Sequence, residues 1–105
     1  MSNMTLPTHV LVVRAEVPED IETEWNRWYD TVHLPEILAC PGFRAGRRYC
    51  TGTSAAGRFY LALYDIDGPH ALDSAEFKGR RGWGPFAGKV KFETKVFSQL
   101  SPATG

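Results

Sequence analysis

The sequence holds only two cysteines in 105 residues, Cys40 and Cys50. Two are too few for a disulfide-stapled fold, and they match no metal-binding spacing. In a reducing compartment both are expected to be free thiols. No apolar run approaches the ~18–20 residues that a membrane-spanning helix needs. Residues 1–8 lack a basic segment followed by an apolar one, so no secretory signal is expected and the cytoplasm is the default location. An excess of either charge is missing too. Twelve Lys and Arg balance twelve Asp and Glu, which argues against a nucleic-acid or membrane partner. The three histidines, His9, His33 and His70, form no metal-ligand cluster, so no metal is expected. The GRRGWG segment at 79–84 lacks the Lys-Ser/Thr pair of a phosphate loop. Nothing supports flavin or nicotinamide binding, and no axial-ligand case for heme stands out. No cofactor is expected.

What is present is aromatic. Three Trp, four Tyr and six Phe are more aromatic-apolar surface than one small core needs. A chain of this length forms one domain, spanning 1–105 with its core at about 9–100. Such a domain buries a modest core, so partner surface would add to its stability.

The pattern along the chain reads as β-α-β-β-α-β. Residues 9–17 are rich in β-branched side chains without a breaker and read as a strand. Pro18 followed by Glu19 and Asp20 opens a helix, because acidic residues suit the positive helix start. Ile21, Trp25, Trp28 and Val32 recur at helical spacing as its apolar stripe. Pro35 disfavours α geometry at Leu34, so the helix should end or bend near His33, with a short further turn over 35–40. Pro41-Gly42 then punctuates. Residues 43–51 read as a second strand with Phe43, Ala45, Arg47 and Tyr49 on one face. Residues 51–57 form a small-residue hairpin loop, and 58–66 a third strand. Asp67-Gly68-Pro69 starts a second helix that the glycines from Gly79 onward break up. Residues 89–100 are the last strand.

Right-handed crossovers turn this order into a ferredoxin-like α+β fold, a four-stranded antiparallel sheet with both helices on one face. The central strands carry apolar residues on both faces, Val10 and Val12 opposite Leu11 and Val13. Two helices cover only one face. The simplest cover for the other is a second copy of the sheet, which predicts a homodimer.

Glu22, Asn26, Tyr29 and His33 form a polar row beside the apolar stripe. His33 therefore lies at the rim of whatever the helix covers and near its C-terminus, where the dipole favours imidazolium. A histidine at the edge of an apolar cleft is a natural acid–base group. The plainer alternative is a helix cap packed under the Pro35 turn. Tyr49 can donate or accept through its hydroxyl, or be a core-edge tyrosine with a wet hydroxyl. Tyr64 shares a face with Tyr60 and the small Ala62, which leaves room for a ligand, the plainer alternative being packing at a dimer interface. Trp25, Trp28 and Trp83 read as core and pocket wall. Cys40 reads as a buried apolar residue. Arg47, Arg48, Arg80 and Arg81 have the chemistry to hold a carboxylate, with surface charge the stronger reading.

The stretch WYDTVHLPEILACPGFRAGRRY resembles the EthD-like branch of the dimeric α+β barrel superfamily. Tyr29, His33, Pro35, Pro41, Gly42, Arg47, Arg48 and Tyr49 match its pattern of aromatic-x-x-x-His, Pro, Pro-Gly and an Arg/Tyr-rich strand. YLALYDIDGPHALDSAEF and Trp83 look like that branch's third strand and second helix. The His-Leu-Pro step departs from the commoner His-Ala-Pro without disturbing the histidine. The resemblance implies two sheets closing into a barrel, with a pocket in each subunit between sheet and helices. Related enzymes include muconolactone-type isomerases, polyketide cyclases and cofactor-free quinone-forming monooxygenases. A methylmuconolactone methylisomerase of the superfamily uses a histidine and a tyrosine at positions that look like His33 and Tyr49. Polyketide cyclases carry a histidine at a position similar to His9.

Together these readings predict a cofactor-independent acid–base enzyme, an isomerase, cyclase or lyase, acting on a small aromatic, lactone or polyketide-like substrate. His33 and Tyr49 are the expected catalytic pair, with His9, Trp25, Tyr29, Tyr64 and Trp83 holding the substrate. The alternatives are a cofactor-free monooxygenase of the same fold and a non-catalytic small-molecule-binding accessory protein.

Overall fold

A computed structural model describes residues 6–51 and 58–100. The expected hairpin loop lies almost wholly outside the described residues. Strands β1 (His9–Val17), β2 (Phe43–Cys50), β3 (Arg58–Ile66) and β4 (Lys91–Ser98) form one antiparallel sheet in the order β2-β3-β1-β4. This is the ferredoxin-like arrangement that the element order predicts. On β3, Tyr60, Ala62, Tyr64 and Ile66 are buried in alternation with more exposed neighbours. The β1 register sets Leu11 opposite Tyr64 and Ala15 opposite Tyr60, so these residues share the face that the helices cover.

The first crossover is one continuous helical run built in pieces. A 3₁₀ turn (Glu19–Ile21) leads into α1 (Glu22–Trp28), a π-helical turn (Tyr29–His33) and α2 (Leu34–Leu38). The end or bend expected near His33 is a widened turn, and the helix continues past it through the segment expected to form a short further turn. Pro35 sits at the start of α2 and has no amide to give to the turn before it, a place where a helix can widen. The widening also re-aims the buried face. Trp25, Tyr29 and His33 are buried, whereas Val32, expected on the apolar stripe, is 40% exposed. A π turn closes one residue later than an α turn, which carries His33 inward and Val32 out.

The second helical region is shorter than its sequence pattern predicts. Ser74 is extended, and its side chain accepts a hydrogen bond from Phe77 N at 3.0 Å. That N-cap divides the region into a 3₁₀ turn (Pro69–Asp73) and α3 (Ala75–Arg80). A six-residue helix covers little of β4. Phe92, on the helix side of β4 opposite Ala15, stays 56% exposed.

A register shift between Phe43 and Ala45 decides the facing of β2. Phe43 pairs with Ile66 on the core face. Past the bulge, Gly46, Arg48 and Cys50 pair with Tyr64, Ala62 and Tyr60 and take that face. Arg47 and Tyr49 pair with Leu63 and Leu61 on the outer face. The expectation that Tyr49 shares a face with Phe43 is corrected, because one extra residue in a strand reverses the alternation beyond it. Gly46 is needed where it stands, since a Cβ there would lie 2.8 Å from Tyr64 Cδ1.

Candidate functional site

The helices, the helix-side face of the sheet and the Trp83 loop enclose a cavity of about 400 Å³. Its floor is Leu11 and Val13 of β1 with Tyr64 of β3. Tyr29, His33 and Ile37 form the helix wall, Phe77 and Trp83 the far wall, and Phe92 and Thr94 the β4 side. The volume falls in the range that suits a small organic ligand, and the wall is mostly apolar and aromatic, as such pockets are.

His33 is 7% exposed and meets rings on three sides. Trp28 stacks on it with centroids 4.7 Å apart and an interplanar angle of 14°. Tyr29 meets it edge-on at 4.8 Å, and Trp83 is tilted at 5.9 Å. Neither ring nitrogen makes a hydrogen bond among the described residues. Burial, aided by the Arg48 guanidinium, lowers its pKa from 6.5 to about 4. The dipole argument for imidazolium is therefore corrected. His33 sits mid-run, not at a helix end, and the fold holds the neutral imidazole.

This protonation preference links stability to pH. The unfolded histidine binds a proton below about 6.5, while the folded one resists protonation until about 4. The His33 contribution is thus fully present above pH 6.5 and is lost as pH falls through that window. We expect wild-type stability in urea to drop between pH 7 and pH 4.5 by roughly 2–3 kcal/mol more than that of His33→Gln. Parallel pH profiles of the two proteins would show that His33 is not held neutral.

Two tyrosines stand beside the histidine. Tyr29 and Tyr64 share a hydrogen bond between their hydroxyls at 2.8 Å. Burial raises the pKa of both, so both are protonated at neutral pH. Two hydroxyl protons serve one mutual bond, which leaves one proton to donate to a ligand.

Arg48 braces this wall. Its guanidinium lies over the Tyr29 ring at 4.2 Å and near Trp25 at 5.0 Å and Tyr60 at 5.5 Å. It donates to Asp30 Oδ1 at 2.5 Å and to Asn26 Oδ1 at 2.7 Å. Asn26 Nδ2 donates to the Tyr60 hydroxyl at 2.8 Å, and that hydroxyl donates to Glu22 Oε2 at 2.5 Å. Strands β2 and β3 are thereby tied to α1. Arg48 was not among the expected site residues. Only the bulge in β2 brings it inward, and the strand pattern carries no mark of that bulge.

The other expected residues are placed as follows. Tyr29, Tyr64 and Trp83 line the cavity. Trp25 is buried behind the wall, packed against Tyr29, Tyr60 and Trp83, and does not line it. His9 bonds Ser98 Oγ through Nδ1 at 2.8 Å, at the start of β1 and outside the cavity lining. Tyr49 is 46% exposed on the outer face of the sheet. It lines a separate shallow depression with Phe59 and Leu61. Its place beside His33 is corrected by the same register shift. Trp28, expected as core and pocket wall, stacks on His33, and Phe92, which was not singled out for the site, meets Trp83 edge-on. Cys40 and Cys50 are free thiols. Among the described residues no three His, Cys, Asp or Glu gather to hold a metal ion, and no helix is long and apolar enough to cross a membrane.

The backbone is similar to several solved proteins. An ethyl tert-butyl ether D (EthD) family protein from Bacillus halodurans matches at 21% identity, over 88% of this chain and 98% of that one, with a TM-score of 0.66. A dimeric ferredoxin-like protein from an uncultured marine organism matches at 12% identity, over 93% and 100%, with a TM-score of 0.63. A mutant form of SnoaB, a cofactor-independent oxygenase from Streptomyces nogalater, matches at 14% identity, over 91% and 99%, with a TM-score of 0.59. No protein-family model matches the sequence, and no curated protein does. Fold and cavity thus define the class. The chain has the ferredoxin-like α+β fold, the fold of an EthD family protein, with a small-molecule-sized cavity between sheet and helices.

Proposed function

We propose that this protein is a cofactor-independent acid–base enzyme acting on a small aromatic, lactone or polyketide-like substrate in this cavity. The observation that carries the reading is His33, a buried, unprotonated imidazole in the cavity wall. A free base with so low a pKa is weak in the empty site. Proton abstraction leaves an enolate or phenolate beside it, and that negative charge stabilises the imidazolium formed. The spare hydroxyl proton of the Tyr29–Tyr64 pair is placed to hydrogen-bond the developing oxyanion. Isomerisation follows if the imidazolium returns the proton to a different carbon. In a second reading, favoured by the likeness to SnoaB, the deprotonated aromatic substrate itself passes electrons to dioxygen.

Two probes separate these. A β,γ-unsaturated lactone in D₂O reports isomerisation by proton NMR, with deuterium entering at the carbon that is reprotonated. An anthrone reports oxygenation by the appearance of a quinone chromophore and uptake of oxygen. Catalysed turnover of the lactone is the expected result. Turnover of the anthrone alone selects the oxygenase reading. Binding of both without turnover overturns the enzymatic proposal and leaves a binding protein.

We further propose that two copies pair through the outer face of the sheet. There Val10, Val12, Leu61 and Leu63 are half-buried, and Phe59 and Phe97 are exposed, an apolar face that the helices leave uncovered. The likeness to a dimeric protein of this fold supports the pairing. Sedimentation equilibrium at micromolar protein should give about twice the 11.7 kDa chain mass. A well-behaved monomer at that concentration sinks the proposal.

A further inference from the structure

We infer that the ligand of this cavity is an anion, an aromatic or alicyclic ring bearing a carboxylate, whose charge is met by Lys78 and Arg81. The inference rests on the small-molecule reading of the cavity and adds the charge of its occupant. The cavity lining includes Lys78 and Arg81 and not a single Asp or Glu. Both cations belong to the short stretch at the end of α3, next to Gly82 and Trp83, and both are exposed residues of the cavity lining.

What sets these two apart is their place in the cavity lining. Arg14, Arg44, Arg48 and Arg58 each have a carboxylate within 4 Å: Glu93, Asp67, Asp30 and Glu22. Arg80, between the two, donates to the Glu36 carbonyl oxygen at 3.2 Å. Lys78 and Arg81 have no carboxylate partner among the described residues. Arg27, Arg47, Lys89, Lys91 and Lys95 likewise have no carboxylate partner among the described residues, but none of them lines the cavity. Two unpaired cations on an otherwise apolar wall draw an anionic ligand and select its orientation, the planar guanidinium being suited to a carboxylate's two oxygens.

The test uses a matched pair of probes, 2-naphthoate and the neutral 2-naphthamide, titrated calorimetrically into the wild-type protein and a Lys78→Gln/Arg81→Gln double variant at low salt. We expect the wild-type protein to bind naphthoate about tenfold more tightly than naphthamide. In the double variant the gap should close with naphthamide affinity unchanged, which also reports an intact cavity. Raising the salt on wild-type protein, a measurement free of any substitution, should weaken naphthoate only. Equal wild-type affinities overturn the anion inference and leave the cavity reading standing. A preference for naphthoate that survives in the double variant overturns the assignment to Lys78 and Arg81. Failure of both probes to bind overturns the small-molecule reading itself, and this inference with it.

Discussion

Replacing His33 with alanine is expected to slow turnover by about 10²–10⁴-fold, the usual loss when a positioned proton-transfer group is removed, while fold and dimer persist. The separation of effects follows from what the ring touches. His33 packs against Trp28, Tyr29 and Trp83 but makes no hydrogen bond among the described residues. Its loss leaves a space that opens onto an existing cavity and strands no buried polar partner. The stability cost should therefore stay near about 1–2 kcal/mol. Melting temperature and turnover measured on one preparation distinguish the two consequences. Tyr29→Phe should slow turnover less, because the Tyr64 hydroxyl remains to donate. Tyr49→Phe should leave turnover near wild type, since Tyr49 lies on the outer face of the sheet. Near-native turnover in His33→Ala would move proton transfer elsewhere. A dimer that unfolds would make His33 a structural residue.

Trp25→Ala is expected to have the largest effect on stability, about 3–5 kcal/mol, as for deletion of a large buried aromatic. The indole is 1% exposed. It contacts Tyr60 at 4.9 Å, Tyr29 at 5.3 Å and Trp83 at 5.8 Å. It also lies beneath the Arg48 guanidinium. Removing it empties the space behind the cavity wall and undercuts both Tyr29 and Arg48. Against a typical total of about 5–15 kcal/mol, a single change of this size is enough to unfold much of the protein. Urea denaturation should show a large fall in midpoint, with Trp25→Phe much milder. If Trp25→Ala keeps native stability and loses only ligand affinity, then Trp25 lines the site as the sequence reading expects and the buried placement is wrong.

The two residues illustrate why the site was only half legible. Tyr29, His33, Tyr64 and Trp83 were expected at a pocket and do line the cavity. Each lies on a regular element or beside a clear break, where periodicity reports facing. Trp25 was expected at the ligand and is core, since helical spacing shows which residues face inward but not how deep they lie. Tyr49 and Arg48 exchanged roles because strand alternation is reliable only until a bulge intervenes. The bulge between Phe43 and Ala45 is a property of pairing with β3, and a single strand's sequence does not contain its partner.

The amino-acid sequence by itself determined the element order, the strand-rich core and hence the ferredoxin-like topology, because local propensity, turn residues and crossover handedness depend on near neighbours in the chain. It also singled out His33. Tertiary structure alone decided that the helix runs on past His33 through a widened turn, which exchanges Val32 for His33 on the inner face. It decided that Arg48 lies against Tyr29 and helps burial hold the imidazole neutral. It decided as well that Lys78 and Arg81 stand beside an apolar cavity without carboxylate partners among the described residues. The placements of Arg48 and of Lys78 and Arg81 rest on contacts between residues far apart in sequence. Burial, charge proximity and strand register are set by those contacts and not by any local pattern.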